Sequence, residues 1–408
     1  MKTNQAFYIF DLQKTNAMNF LQPSTHKFIQ FFGVCATVLL LGSCGKSAIE
    51  EGTPQVSDMG SVDNSQTQSA GVLTAAEWDD LENWGFWTDL LTQSNNAALE
   101  TKWGFFTNNR FALVLTNSDN LPICDAKVQL LLDGRSIFSA KTNNFGRAEL
   151  WANLNQSATA VDPSRLQISV NNGEAVVNNP KPFKDGSNAV SIAGTWQNDN
   201  TANISFVIDV TSSMSDELKY LKNELYDVIA RIKSNNPQSR VLTSVLFYKD
   251  QGDDYVTKKL NFTEDETQSI NFIKNEETSG GGDYPEAVHT ALNEAVNTLN
   301  WSEKAKSRII FLLLDAPPHN ESQVIADLQK TVASAAEKGI KIIPVMASGA
   351  DKDTEFAVRL FSMVTNGTFT FLTDDSKKGN THYTPSVGTY QIEYLNNLMV
   401  RLVNNSLK

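Results

Sequence analysis

Asp209-x-Thr211-x-Ser213 sets one carboxylate and two hydroxyls at alternate positions directly after an apolar run. Such hard oxygen donors suit Mg²⁺ or a similar cation. The run before them, Ile204 to Ile208, is β-branched and aromatic enough for a buried parallel strand. From Ser215 onward, Leu218, Leu221, Leu225, Val228, Ile229 and Ile232 recur at helical spacing. The donors therefore lie in a tight loop between the C-terminal end of a core strand and a helix, where ligands bind in doubly wound sheets. The same residues also have a plainer use. Ser213 or Ser215 would cap the helix, with Asp216 completing a capping box, and an acid at a strand end often binds only loop amides.

Two distant segments tip the balance towards a cation. Gly280-Gly281-Gly282-Asp283-Tyr284-Pro285-Glu286-Ala287 precedes a helix carrying Val288, Leu292, Ala295 and Leu299. Three glycines let the backbone approach a bound group closely, and Pro285 suits the first turn of the helix behind it. Ile309 to Leu314 is a second buried strand that again ends in an acid, Asp315, and Pro317-Pro318 forbids its continuation. One sheet edge can bring these three loops together.

Residues from about 203 to 403 resemble the von Willebrand factor type A domain, and the three loops, in this order, resemble its metal-ion-dependent adhesion site. The resemblance implies Mg²⁺, or else Ca²⁺ or Mn²⁺, held by Asp209, Thr211, Ser213, Asp283 and Asp315. It also implies an open coordination position that takes an acidic group from a protein or glycan partner. The middle loop departs from the family pattern: Asp283 stands where a Thr is usual, in a segment that looks like a Gly-Gly-Gly-Asp-x-Pro-Glu variant, and Thr278 is the other candidate. A third carboxylate would hold the cation more tightly and leave it less electrophilic, unless one acid acts through water.

The rest of the chain supports an α/β fold: a doubly wound, mainly parallel sheet with helices on both faces, preceded by a small β-sandwich domain. Val241 to Tyr248 reads as a strand, Val256 to Phe262 as a polar edge strand, and Val324 to Ala336 as a helix stopped by Gly339. Ile340 to Val345 and Thr368 to Leu372 are further strands, Phe356 to Val364 a helix, and Tyr390 to Val403 a closing helix. The loop Asp250 to Asp254 lies on the same rim. It reads as a solvated acidic turn, with a second cation site as the alternative. His319 lies close enough to Asp315 in sequence to contact a ligand, and the chain's 4 His form no metal pattern of their own.

Phe28 to Leu41 is an apolar stretch of signal-peptide length, too short to span a bilayer. It ends in Leu41-Gly42-Ser43-Cys44, which resembles the bacterial lipobox and implies lipidation of Cys44. A cleaved signal with an unmodified Cys, or a short buried helix, is the alternative, and Met18 is an alternative start. The domain reading is a lipoprotein signal over 1–44, a flexible tether over 45–73, a Trp-rich segment and β-sandwich over 74–195, and the metal domain over 196–408. The tether is rich in Ser, Gly, Glu, Asp and Gln. Of the 3 cysteines, only Cys124 stays free in a lipidated mature chain, where it packs as a small apolar residue. A net charge of -12 disfavours nucleic acid and anionic lipid surfaces.

Trp78, Trp84, Trp87 and Trp103 form a dense aromatic cluster, read as packing one element onto a neighbouring domain rather than as a carbohydrate platform. The short runs from Phe111 to Ala152, separated by Asn, Asp and Gly, suggest an antiparallel sandwich. The segments Leu121 to Val128 and Thr142 to Ala148 resemble carboxypeptidase-regulatory-like and related Ig-like modules. These readings converge on a lipid-anchored protein of the bacterial cell envelope, an outer-membrane lipoprotein facing periplasm or cell surface, that binds a protein or glycan through its cation. The alternative is a metal-dependent phosphoryl-transfer or hydrolytic enzyme using Asp209, but the loops lack a Lys for a phosphate and no nucleophile–base pair has a recognisable spacing. The expectation is therefore binding without catalysis.

Overall fold

A computed structural model describes residues 70–193, 198–378 and 380–408. The apolar stretch 28–41, Cys44 and most of the expected tether lie outside these residues. The end of the tether is not loose. The backbone N–H groups of Gly71, Val72 and Leu73 all donate to the Glu224 carboxylate, at 2.9, 2.7 and 3.1 Å.

Strand β1 (Thr74–Trp78) leads into helices α1 (Trp84–Leu91) and α2 (Ser94–Trp103). Seven strands follow: β2 (Arg110–Asn117), β3 (Lys127–Leu132), β4 (Arg135–Lys141), β5 (Arg147–Trp151), β6 (Leu166–Val170), β7 (Ala175–Asn178) and β8 (Asn188–Ile192). They form two sheets, ordered β5-β2-β8 and β4-β3-β6-β7. Alternate residues Val128 and Leu130, Phe138 and Ala140, and Leu166, Ile168 and Val170 are buried, the period-two pattern of strands with one face on a core. Asp133 and Gly134 both adopt positive φ (49° and 77°), the primed turn whose twist suits the β3–β4 hairpin.

The remaining elements alternate: β9 (Asp199–Asp209), α3 (Ser215–Asn235), β10 (Arg240–Tyr248), β11 (Thr257–Thr263), α4 (Glu266–Lys274), α5 (Val288–Thr298), β12 (Ala305–Leu314), α6 (Ser322–Lys338), β13 (Ile340–Met346), α7 (Lys352–Val364), β14 (Phe369–Thr373), β15 (Ile392–Tyr394) and α8 (Leu395–Ser406). They build one sheet of order β11-β10-β9-β12-β13-β14-β1-β15, parallel from β10 to β14. The central strands β9 and β12 are apolar on both faces because both faces are covered. Phe206, Ile208 and Phe311 pack with Leu225, Ile229, Leu398 and Met399 of α3 and α8. Val207, Ile310 and Leu312 pack with α5, α6 and α7, in a core that runs on into the sandwich.

Several expectations need correction. β1, read as part of the sandwich region, pairs antiparallel with β14 and β15 and so belongs to the main sheet. Pro285 lies ahead of α5, which begins at Val288, so it does not occupy the first helical turn. The expected closing helix opens instead as the short strand β15. α7 starts at Lys352, four residues before Phe356, because the Asp351 side chain accepts from the Thr354 N–H and caps it. α4 was not foreseen.

The aromatic cluster is divided: Trp84 is half-buried against Trp151 and Phe183, while Trp87 packs on α7. Trp87 and Trp103 are inaccessible, and Trp87 lies 5.5 Å from Phe356 between ring centroids. Cys124 is buried against β12, its thiol facing the Lys306 carbonyl at 3.3 Å, and burial pushes its pKa up to about 11. Among the described residues no helix is long and apolar enough to cross a membrane.

Candidate functional site

Parallel pairing brings the C-terminal ends of β9, β10 and β12 to one rim. Tyr248 stands opposite Asp209 in register, and Leu313 opposite Ile208, so Asp315 follows at the same edge. Backbone hydrogen bonds stitch the rim loops together. The Ser279 N–H donates to the Val210 carbonyl (3.0 Å), that of Ser212 to Gly280 (3.2 Å), and that of Glu286 to Pro317 (3.0 Å). Asp209 and Thr211 are fully buried, Asp315 nearly so, and Ser213 is exposed.

Asp209 Oδ1 accepts from both the N–H and the hydroxyl of Thr211, at 2.9 and 2.7 Å. The Thr211 and Ser213 hydroxyls are 3.1 Å apart. No side chain caps α3, so the capping-box reading of Ser213, Ser215 and Asp216 does not hold. Four buried oxygens on this rim lack any hydrogen-bond partner: Asp209 Oδ2, Asp315 Oδ1, Glu286 Oε2 and the Tyr248 hydroxyl. Buried polar atoms in folded proteins are nearly always partnered, so four orphans from four segments point to a missing counterpart.

The charges point the same way. Burial lifts Asp209 to about 6, against hydrogen bonds from Thr211. Burial and then the Asp209 charge lift Asp315 to about 7. Burial followed by Asp209, Asp250 and Asp315 lifts Glu286 to about 9. Tyr248 is pushed well above its usual range by burial and these same acids; it lies beside Asp209 without forming a well-aligned hydrogen bond. The groups acting most strongly on the three carboxyls are acids, hydroxyls and amides, with no Lys or Arg among them. Lys249 on this rim is already committed, donating to Asp254 (2.7 Å) and to the Ser279 hydroxyl (2.6 Å).

Two carboxylates with free oxygens and two adjacent hydroxyls are the donor set of a hard divalent cation, so Asp209, Thr211, Ser213 and Asp315 fit one. Among the described residues, no three His, Cys, Asp or Glu side chains are grouped so as to hold a metal by themselves.

Of the sequence-derived candidates, the fold brings together Asp209, Thr211, Ser213 and Asp315. Asp283 sits exposed at the tip of the glycine loop, and Thr278 is half-buried; neither is among the groups acting most strongly on Asp209 or Asp315. Sequence reasoning missed Glu286 and Tyr248. The available signal for Tyr248 was its place as the last residue of a strand, matching Asp209.

The Asp250–Asp254 loop is more than a solvated turn. Asp250 is buried and holds His319 Nε2 at 2.7 Å, while the Asp253 carboxylate accepts from the Asp250 and Gly281 N–H groups at 3.1 and 3.0 Å. The loop thus braces the glycine loop, and His319 is tied inward.

Residues 203–374 match a family model described as the von Willebrand factor A domain. A segment of 125 residues is 29% identical to the putative ariadne-like RING finger protein R811 of Acanthamoeba polyphaga mimivirus, covering 31% of this chain and 12% of that protein. The chain thus spans only a small part of that relative. Among solved structures, the conserved hypothetical protein BatB from Bacteroides thetaiotaomicron aligns with a TM-score of 0.36 at 13% identity, over 50% of this chain and 98% of that one.

Proposed function

We propose that residues 203–374, a von Willebrand factor A domain, bind a protein or glycan ligand through a divalent cation where the three rim loops meet. The observation that supports this most is the pair of buried, unpartnered oxygens on Asp209 and Asp315, with no basic side chain among their strongest neighbours. Buried charges without pairing are strongly disfavoured, and a bound cation satisfies both at once. Asp209 and Asp315 would hold Mg²⁺, or Ca²⁺ or Mn²⁺, with Thr211 and Ser213 orienting the first loop around it. When bound, the cation supplies an electrophilic position to an oxygen of the partner.

Binding suits this pocket better than catalysis. Asp209 as a nucleophile would have to attack from full burial, with one oxygen already engaged by Thr211. His319 on this rim is tied to Asp250 instead. Calorimetry with Mg²⁺, Mn²⁺ and Ca²⁺ tests the reading: wild type should bind at millimolar cation or better, and Asp209→Ala should abolish binding with the fold intact. Absence of binding by wild type refutes it. Turnover of a phosphoester that vanishes in Asp209→Ala would favour the enzyme.

The same proposal places the protein in the bacterial envelope, anchored by lipid on Cys44. Mass spectrometry of the mature amino terminus should find a diacylglyceryl cysteine, and Cys44→Ser should move the protein from the membrane to the soluble fraction. Several acyl chains on one cysteine suffice for stable anchoring, at about 0.8 kcal/mol per buried methylene. A mature amino terminus without acylated Cys44 removes this part of the proposal and leaves the cation site standing.

A further inference from the structure

Resting on that cation reading, we propose that Glu286, and not Asp283, is the acid through which the middle loop acts on the ion, reaching it through the ion's own water shell. Asp283 is exposed, whereas Glu286, three residues further on, is only 3% exposed. Two backbone contacts fix Glu286 beside the third loop: its N–H donates to the Pro317 carbonyl at 3.0 Å, and it forms a parallel bridge with Pro318. The segment that follows Asp315 therefore holds Glu286 on the inner side of its loop.

Gly281 lies close against both Glu286 and Thr211. A Cβ built on it would lie 2.9 Å from Glu286 Oε1 and 3.0 Å from the Thr211 Cβ, at a φ of +74°. Only glycine combines that backbone conformation with so close an approach. The space a side chain on Gly281 would take is thus shared by Glu286 and Thr211, and Glu286 Oε2 is buried and unpartnered. Its strongest neighbours are Asp209, Asp250, Asp315 and Asp253, which as carboxylates accept but do not donate.

A buried carboxyl among acids either keeps its proton or meets positive charge, and a bound cation favours the ionised form. Water polarised by a cation is a donor to that form, and hydrogen bonds to an ionised acceptor are the strong ones. Asp209, Asp315 and Glu286 do not form a three-acid group able to hold a metal by themselves, which leaves Glu286 to act through the ion's water. Glu286 is therefore a positioning residue: it orders the ion's water and offsets its charge from the middle loop.

The test is Mn²⁺ titration by calorimetry of wild type, Glu286→Gln and Asp283→Asn. It is paired with Eu³⁺ luminescence lifetimes in H₂O and D₂O, which count the waters on the ion. Glu286→Gln should weaken Mn²⁺ binding by about 10–100-fold, the usual effect of losing an outer-shell partner, with the water count unchanged. Asp283→Asn should stay within about threefold, because exposed charges are screened. Should Glu286→Gln fail to fold, Glu286→Asp, which withdraws the carboxylate by one methylene, carries the same expectation. A larger loss in Asp283→Asn than in Glu286→Gln overturns the proposal, as does an extra Eu³⁺-bound water in Glu286→Gln, which would mean direct ligation. No Mn²⁺ binding by wild type overturns the cation reading itself, whereas wild-type binding indifferent to Glu286→Gln overturns this inference alone.

Discussion

Metal-free protein is expected to lose thermal stability as the pH rises from about 5 to about 9, and saturating cation is expected to remove most of that loss. Asp209, Asp315 and Glu286 stand at about 6, about 7 and about 9 in the fold, all above their ordinary values, with burial as the leading cause in each. An acid raised in the folded state binds its proton more tightly folded than unfolded. Its contribution is therefore fully present below the unfolded pKa, near 4, and is lost as pH climbs through the folded value. Each pKa unit corresponds to about 1.4 kcal/mol, but the three acids feel one another, so the combined effect is on the order of a few kcal/mol rather than a sum.

Other groups share this sign. Burial alone would lower His382, but its contacts with Glu217 and Asp374, both 2.8 Å, prevail and raise it. Asp79 is likewise lifted to about 6 by burial. The informative quantity is therefore the gap between melting curves taken with chelator and with cation, since neither His382 nor Asp79 belongs to the cation set. That gap should widen with pH, because deprotonated carboxyls bind metal and protonated ones do not. At a cation concentration of 100 times Kd, the stabilisation should reach about 2.7 kcal/mol. Asp209→Asn should close the gap, while the chelator curve keeps the slope that Glu286, Asp315, His382 and Asp79 give it. Parallel curves at every pH would mean that the rim acids do not meet a cation.

The shared edge of Asp209 and Asp315, the strand-end half of the candidate site, was legible in the sequence. Asp209 and Asp315 each terminate an apolar run, and a parallel sheet necessarily aligns such termini on one edge. The middle loop was not legible in the same way. Asp283 and Glu286 lie three residues apart in a segment of irregular backbone, where no periodicity says which side chain turns inward. The backbone bond from Glu286 to Pro317, made across the fold, decides it. β1 escaped for a related reason: Thr74–Trp78 is a short and weakly patterned run whose partner in β14 is almost 300 residues away, with Thr74 accepting from and donating to Thr373. Local propensity carries little information about pairing at such a distance. The four tryptophans gave the better clue, since so much aromatic surface on a short segment has to be buried against something.

The depth of that burial leads to the second large effect. Arg359→Met should destabilise the protein by about 3–5 kcal/mol, the range for removing one member of a buried charge network. Arg359 on α7 is inaccessible and donates to both Asp80 oxygens, at 2.9 and 2.7 Å, and to Glu355 at 2.6 Å. It also donates to the Ser386 carbonyl at 3.0 Å and faces the Trp87 ring at 4.9 Å. One guanidinium thus joins the segment after β1, the helix α7 and the connection that precedes β15. Methionine fills similar volume but leaves the buried Asp80 and Glu355 carboxylates without their counter-charge, so the loss comes from stranded acids more than from missing contacts. Neutralising them as well, in Asp80→Asn/Glu355→Gln/Arg359→Met, should therefore recover a large part of the stability. Denaturant titration checks both, read as a shift of midpoint at constant slope. A loss below about 1 kcal/mol in Arg359→Met would mean that the network contributes little, and a triple variant less stable than the single one would mean that it contributes through hydrogen bonds and packing rather than through charge balance.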